Sequence, residues 1–214
     1  AVAQRLPGLD PLRQPSWRFI DGASYGGSVY AKAGLLLRSL KSLTGASRLA
    51  DFFRAYALKY RFRHPGSDDF IREFRQFMGG GYGWVFDRYV NGCENLDQAV
   101  ERVSAVRLPG DPPRWRNEAV FARRQGYFPV ELEMRLENGR SVKDFWKENE
   151  RWRRFVFVDP SPLREALRAP EQKVPLDRDR RHTSRRRQPD ARPTRNLSAV
   201  LAFFFQNLLA LIPL

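Results

Sequence analysis

Histidine and cysteine, the side chains that hold most protein-bound transition metals, are almost missing from this chain: its 214 residues include two histidines, His64 and His182, and one cysteine, Cys93. A single thiol excludes an internal disulfide framework, and two histidines so far apart in sequence do not suggest a metal site. His64, beside Pro65, reads as part of a turn, and His182 falls in a basic tail. Also absent are H-E-x-x-H, C-x-x-C, G-x-x-x-x-G-K-S/T and G-x-S-x-G. Constellations that do chemistry unaided are therefore not carried here. The chain opens at Ala1 with neither a methionine nor a targeting segment, which predicts a piece of a longer protein.

Acidic residues are in deficit, 24 against 38 Lys and Arg, for a formal charge of +14. Phosphate is the commonest partner of so basic a surface, which raises nucleic acid as a class. The excess is uneven, however. It is densest at 178–187, where Arg178, Arg180, Arg181, Arg185, Arg186 and Arg187 face one acid, Asp179. Elsewhere it is scattered over solvated faces with arginine outnumbering lysine, a compositional habit that ranks above nucleic-acid binding.

What the chain does have is apolar and aromatic material, 42% and 13%, enough for a folded globular core. Residues 1–20 are punctuated by Pro7, Gly8, Pro11 and Pro15 and read as irregular lead-in. After the glycine-rich stretch 21–27, Val29, Ala33, Leu36, Leu37, Leu40 and Leu43 recur at helical spacing until Gly45. A second helix carries Leu49, Phe52, Phe53, Tyr56 and Tyr60 and breaks at His64-Pro65-Gly66. Ser67 or Asp68 is positioned to cap a third, with Phe70, Ile71, Phe74, Phe77 and Met78 on its core face. A short helix from Trp84 to Val90 follows Gly79-Gly80-Gly81.

From about Leu96 the period becomes two. Val130, Leu132, Met134 and Leu136 alternate with Glu131, Glu133, Arg135 and Glu137, the pattern of a strand with one wet side. Asn138-Gly139 is a type I′ hairpin signal, and Phe155 to Val158 is a further strand run stopped by Asp159-Pro160. Short strands at this spacing predict a small antiparallel β-sandwich. The expected fold is α+β: a helical part over 21–95, a sandwich over 96–181, a basic linker over 182–196 and an apolar C-terminal helix over 197–214.

One segment carries more than periodicity. Asp21-Gly-Ala-Ser-Tyr25-Gly-Gly-Ser-Val-Tyr30-Ala-Lys32-Ala-Gly resembles the tyrosine motif of the membrane alanyl aminopeptidase family, the gluzincin zinc aminopeptidases. The stretch from Leu35 to Tyr60, Phe62-Arg-His-Pro, Ser67-Asp-Asp-Phe70 and Trp84-Val-Phe-Asp-Arg-Tyr-Val-Asn-Gly is similar to the same family in order and spacing. So are Gly126-Tyr-Phe-Pro-Val130, the Asn138-Gly139 hairpin and Val156-Phe-Val-Asp159-Pro160, so the resemblance runs over 21–177. Ala33 stands where the family usually has glycine.

The resemblance implies the helical C-terminal half of a thermolysin-like catalytic domain, followed by the family's β-sandwich. It implies a parent hydrolase that removes N-terminal residues from peptides, using zinc held by ligands upstream of this tyrosine and none in this chain. Tyr30 matches the tyrosine whose hydroxyl stabilises the tetrahedral intermediate; a phenol, ordinarily of pKa about 10, keeps its proton at neutral pH and stays a donor. From spacing alone Tyr30 reads as a packing residue. Tyr25 lines the same cleft as a substrate-binding residue or packs, and Lys32 is expected to be solvated or salt-bridged. Two other classes stay open: a non-catalytic relative acting as an interaction module, and a basic protein of membrane surfaces or nucleic acids. For membrane association the sequence offers the arginine run, at about 1 kcal/mol per basic residue near anionic headgroups. It also offers an apolar face of Leu197, Val200, Leu201, Phe204, Leu208, Leu211 and Ile212.

Overall fold

The helical half begins earlier than its apolar period suggests. In the computed structural model, which describes residues 10–177, 179–188 and 192–210, Asp21 is extended and its carboxylate accepts the Ser24 N–H at 2.6 Å. That is an N-cap, so the glycine-rich stretch is itself helical. Helix α1 (Gly22–Tyr25) continues into a π-helical turn (Gly26–Lys32) and then α2 (Ala33–Thr44) without a break. Gly45, at φ 83, ends the run because a left-handed residue cannot continue it.

Helices α3 (Ala46–Lys59) and α4 (Ser67–Met78) bury their aromatic stripes against each other. Phe52 sits at the centre, with the rings of Phe53, Tyr56, Phe70, Phe74 and Phe77 at 5.1–5.8 Å between centroids. The cap of α4 lies one residue before the expected one. Gly66 takes the N-cap position, Ser67 is already helical, and Asp69 reaches back to accept the Gly66 N–H at 2.9 Å. Helix α5 (Gly83–Val85) and a second π turn (Phe86–Asn91) stand where one short helix was expected.

Among the described residues seven antiparallel strands follow: β1 (Asp97–Leu108), β2 (Arg114–Gln125), β3 (Val130–Leu136), β4 (Ser141–Trp146), β5 (Trp152–Asp159), β6 (Leu163–Arg168) and β7 (Ser184–Arg186). They form two sheets, ordered β1-β2-β5 and β4-β3-β6-β7. Val100, Ala119 and Phe121 from one and Leu132, Met134, Leu163 and Ala166 from the other share one core. Asn117 of β2 ties the sheets together, donating to the Ser161 carbonyl at 3.1 Å and accepting the Leu163 N–H at 2.7 Å.

Two local expectations change. Asn138-Gly139 closes the β3–β4 hairpin, but only Gly139 has a positive φ (86°), whereas a type I′ turn needs both central residues there. The Gly139 N–H donates to the Leu136 carbonyl and the Leu136 N–H to Arg140, so the loop is a three-residue turn ending in a glycine bulge. The face of β3 read as wet is only partly so. Glu133 is buried, because β3 is flanked on both sides and Arg135 lies between Glu133 (2.9 Å) and Glu165 (3.4 Å).

Ser184–Arg186, inside the stretch read as a basic linker, pairs with β6 instead. The two halves are joined by the Leu176 N–H donating to Ser39 Oγ at 3.0 Å and by the Tyr89 hydroxyl donating to the Tyr127 carbonyl at 2.8 Å. Helix α6 (Arg192–Ala210) ends the described chain, and the expected residues 211–214 of that helix lie outside the described residues. No helix among the described residues is long and apolar enough to cross a membrane.

Candidate functional site

The motif that singled out Tyr30 lies on the first π turn, and the π geometry decides what meets what. At 3.6 residues per turn, residues five apart point about 140° apart on an α-helix, whereas an i→i+5 turn brings them close to one face. Tyr25 and Tyr30 are five apart, and their rings meet edge to face with centroids 5.9 Å apart. Phe19 backs Tyr25 at 5.2 Å, also edge-on. The Tyr30 side chain projects from the fold, 69% exposed, with Tyr25 half-buried behind it. Hydrogen bonding and charge interaction with Tyr30 push the Tyr25 phenol above its ordinary range, so Tyr25 keeps its proton.

What holds this turn in place is a residue without a sequence signal. Asp10 is buried beneath the π turn, and its carboxylate accepts from Ser24 Oγ, from the Ile20 N–H at 3.1 Å and from Gln14 Nε2 at 3.0 Å. The bonds from Ser24 and Ile20 hold its carboxyl below the usual range. Ser28 Oγ donates to the Asp10 carbonyl at 3.5 Å, and the Arg13 N–H donates to the Val90 carbonyl at 2.9 Å. The segment 10–20 is thereby strapped across both π turns. Its exposed apolar side chains, Trp17 and Ile20, stand near the tyrosine pair in the chain.

Lys32, expected to be solvated or salt-bridged, is neither. It is 8% exposed, and its Nζ is buried with no hydrogen-bond partner. The residue ends the π turn, so it is phased inward rather than along the wet side of α2. Burial lowers its pKa, against the opposing pull of Cys93 and Glu94. Glu94 itself is paired with Arg88 at 3.0 Å.

The arginine run is also differently employed from a free basic patch. Arg181 pairs with Asp179 at 2.8 Å, Arg186 with Glu165 at 3.2 Å and Arg187 with Glu137, and Arg185 donates to the Glu101 carbonyl at 2.6 Å. A cleft of about 360 Å³ lined by Glu137, Arg164, Arg186, Arg187 and Gln188 lies here and shares no residue with the tyrosine pair. His182 sits beside Asp179 and Arg124, and His64 lies in the break between α3 and α4.

Among the described residues no group of three His, Cys, Asp or Glu side chains is arranged to hold a metal ion. The arrangement at Tyr30 offers an outward phenolic donor on a braced helical turn. No family model matches this chain, and no curated protein matches it.

Proposed function

We propose that this chain is the C-terminal part of a zinc metalloaminopeptidase that hydrolyses N-terminal residues from peptides, with Tyr30 donating to the developing oxyanion. The observation that carries this is the placement of Tyr30: it opens outward from the π turn, with its ring fixed by Tyr25 and its backbone braced through Asp10. A packing tyrosine would be expected to cover its ring, and this one leaves 69% of its surface open. A donor fixed before the substrate arrives does not have to reorganise during the reaction, which is where such groups gain their effect. Supporting context comes from the sequence motif itself, from the helix it opens and from the two antiparallel sheets that follow it, an order similar to that family.

The described residues do not fit a zinc site, so the metal of such an enzyme would rest on ligands outside them. This chain's own contribution is to hold a proton at Tyr30 Oη and present it to the carbonyl oxygen as negative charge grows there. Tyr25, still protonated, lines the same side and positions the Tyr30 ring.

The test is Tyr30→Phe in the full-length gene product, assayed on aminoacyl p-nitroanilides. Removal of one such donor lowers kcat by about 10²–10³-fold, with a much smaller change in KM, because the bond strengthens mainly in the transition state. Folding should be unaffected, since only an exposed hydroxyl is lost. A Phe variant with kcat within twofold of the parent returns Tyr30 to a packing role.

A further inference from the structure

Helix α6 presents the largest run of exposed apolar side chains among the described residues. Leu197, Val200, Leu201, Phe203, Phe204, Phe205 and Leu208 are each 47–68% exposed. At 3.6 residues per turn, Leu197, Val200, Leu201, Phe204 and Leu208 fall within an arc of about 100°. Phe203 and Phe205 extend that arc to about 200° on its two flanks. The opposite side carries Ser198, Ala199, Ala202 and Gln206, and no charged residue occurs from Asn196 to Leu208.

That pattern selects among the surfaces that could cover such a helix. A helix seated on a second copy of itself, or in a protein groove, needs an apolar stripe of about 100°, with charged or polar residues facing water over the rest. Here the apolar arc is twice as wide and the remainder is small and uncharged. A bilayer interface takes such a wide aromatic and aliphatic side into the acyl boundary, and the basic residues that interfacial helices usually carry along a polar face are here Arg192 and Arg195 at the start of the helix, backed by the chain's net charge of +14. Asn207, near the margin of the arc, already donates its side-chain N–H to the Phe203 carbonyl at 2.7 Å, so its amide enters an apolar layer with that donor satisfied. The 19-residue helix is about 28 Å long, no helix among the described residues qualifies as a membrane span, and its wide apolar arc suits a position parallel to the surface.

We propose that α6 is an interfacial membrane helix and that the lipid bilayer is its partner. The net charge of +14 complements an anionic leaflet and brings the chain toward it, while the helix supplies the anchoring. The structure reverses the balance that the sequence suggested. Arg181, Arg186 and Arg187 are already paired with Asp179, Glu165 and Glu137, and Arg185 donates to the Glu101 backbone carbonyl, so apolar insertion rather than the arginine run carries the binding.

The experiment is co-sedimentation of this chain with vesicles of phosphatidylcholine alone and of phosphatidylcholine with 30% phosphatidylserine (about the charge of a cytoplasmic leaflet), in low and high salt. Three forms are compared: the intact chain, a deletion of residues 192–214, and Leu201→Glu/Phe204→Glu, which keeps the helix length. The expected result is binding to both vesicle types, a change of less than about threefold on phosphatidylcholine as salt rises, and a loss of about 100-fold in both altered forms. Tyr30→Phe should bind as the parent does. Binding confined to anionic vesicles and abolished by salt would overturn the proposal in favour of the arginines. Binding that survives either alteration of α6 would overturn it as well. So would self-association that depends on α6 without vesicle binding, which would identify a second copy as the partner.

Discussion

Replacing Lys32 by methionine should make this chain more stable, although it removes a charged residue from a helix. Lys32 Nζ is buried, has no hydrogen-bond partner, and has its pKa lowered chiefly by desolvation. An ammonium taken out of water costs several kcal/mol even after relaxation, and here no direct ion pair or hydrogen bond offsets that cost. Methionine has nearly the same length and fills the space with a thioether. The gain expected is about 1–3 kcal/mol, by analogy with other buried charges replaced by apolar groups. For a chain of this size that is a rise of roughly 2–10 °C in Tm, read by far-UV circular dichroism.

The pH dependence supplies a second signature of the same cause. Lys32 has a folded pKa below its ordinary 10.5, so its charging penalty is full below the folded value and vanishes above 10.5. The advantage of Lys32→Met should therefore shrink as pH is raised from 7 toward 10.5. Lys41, exposed on α2, provides the control, and its methionine variant should change stability by no more than about 0.5 kcal/mol. If Lys32→Met instead destabilises the chain by more than about 1 kcal/mol, the ammonium has a partner and the reasoning fails.

Three further outcomes follow from the packing. Phe52→Ala, which empties the centre of the aromatic cluster, should cost about 3–5 kcal/mol in urea unfolding. Asp10→Ala should loosen the strap over 10–20 and speed amide exchange there, with little effect on the sheets; the stabilisation from Asp10 is present above pH 3.8 and is lost as pH falls through its lower folded pKa. Arg168→Met strips the 3.0 Å partner from Asp177, itself fully buried, and should cost about 3–5 kcal/mol by denaturant unfolding, whereas the Arg168→Met/Asp177→Asn double variant, which removes the charge and keeps an acceptor for the Gln98 and Asp179 N–H groups, should recover much of that.

The apolar periods of the chain are a reliable guide to its core. Leu36, Leu40, Phe52, Phe74, Leu132 and Met134 are all buried as their spacing predicts, because a 3.6- or 2-residue period is written locally. The π turns are not written locally. Their register depends on segment 10–20 and the stretch around Val90 packing across them, so the inward turn of Lys32 had no signal at Lys32 itself. Asn138-Gly139 fits either of two hairpin geometries. The chain takes the bulged one, with the Asn138 N–H donating to Ser161 Oγ at 3.1 Å, a contact from another strand connection. Tyr25 and Tyr30 could be named from their motif, yet their contact follows only from the π phase. For the arginine run, charge was visible and bonding was not, because the Glu101 backbone carbonyl and the Glu137 and Glu165 carboxylates lie 84, 50 and 21 residues away from their partners.

Strand β7 has a consequence for how copies of this protein meet one another. Every open sheet margin offers unpaired backbone donors and acceptors on which a foreign strand can grow. One margin of the four-stranded sheet is a strand of only three residues, Ser184–Arg186, two of them arginines. It is too short to template a long pairing, and a second copy approaching in register would set like charges side by side. The basic stretch thus works as a fringe that blunts growth at this edge, while β4 forms the other.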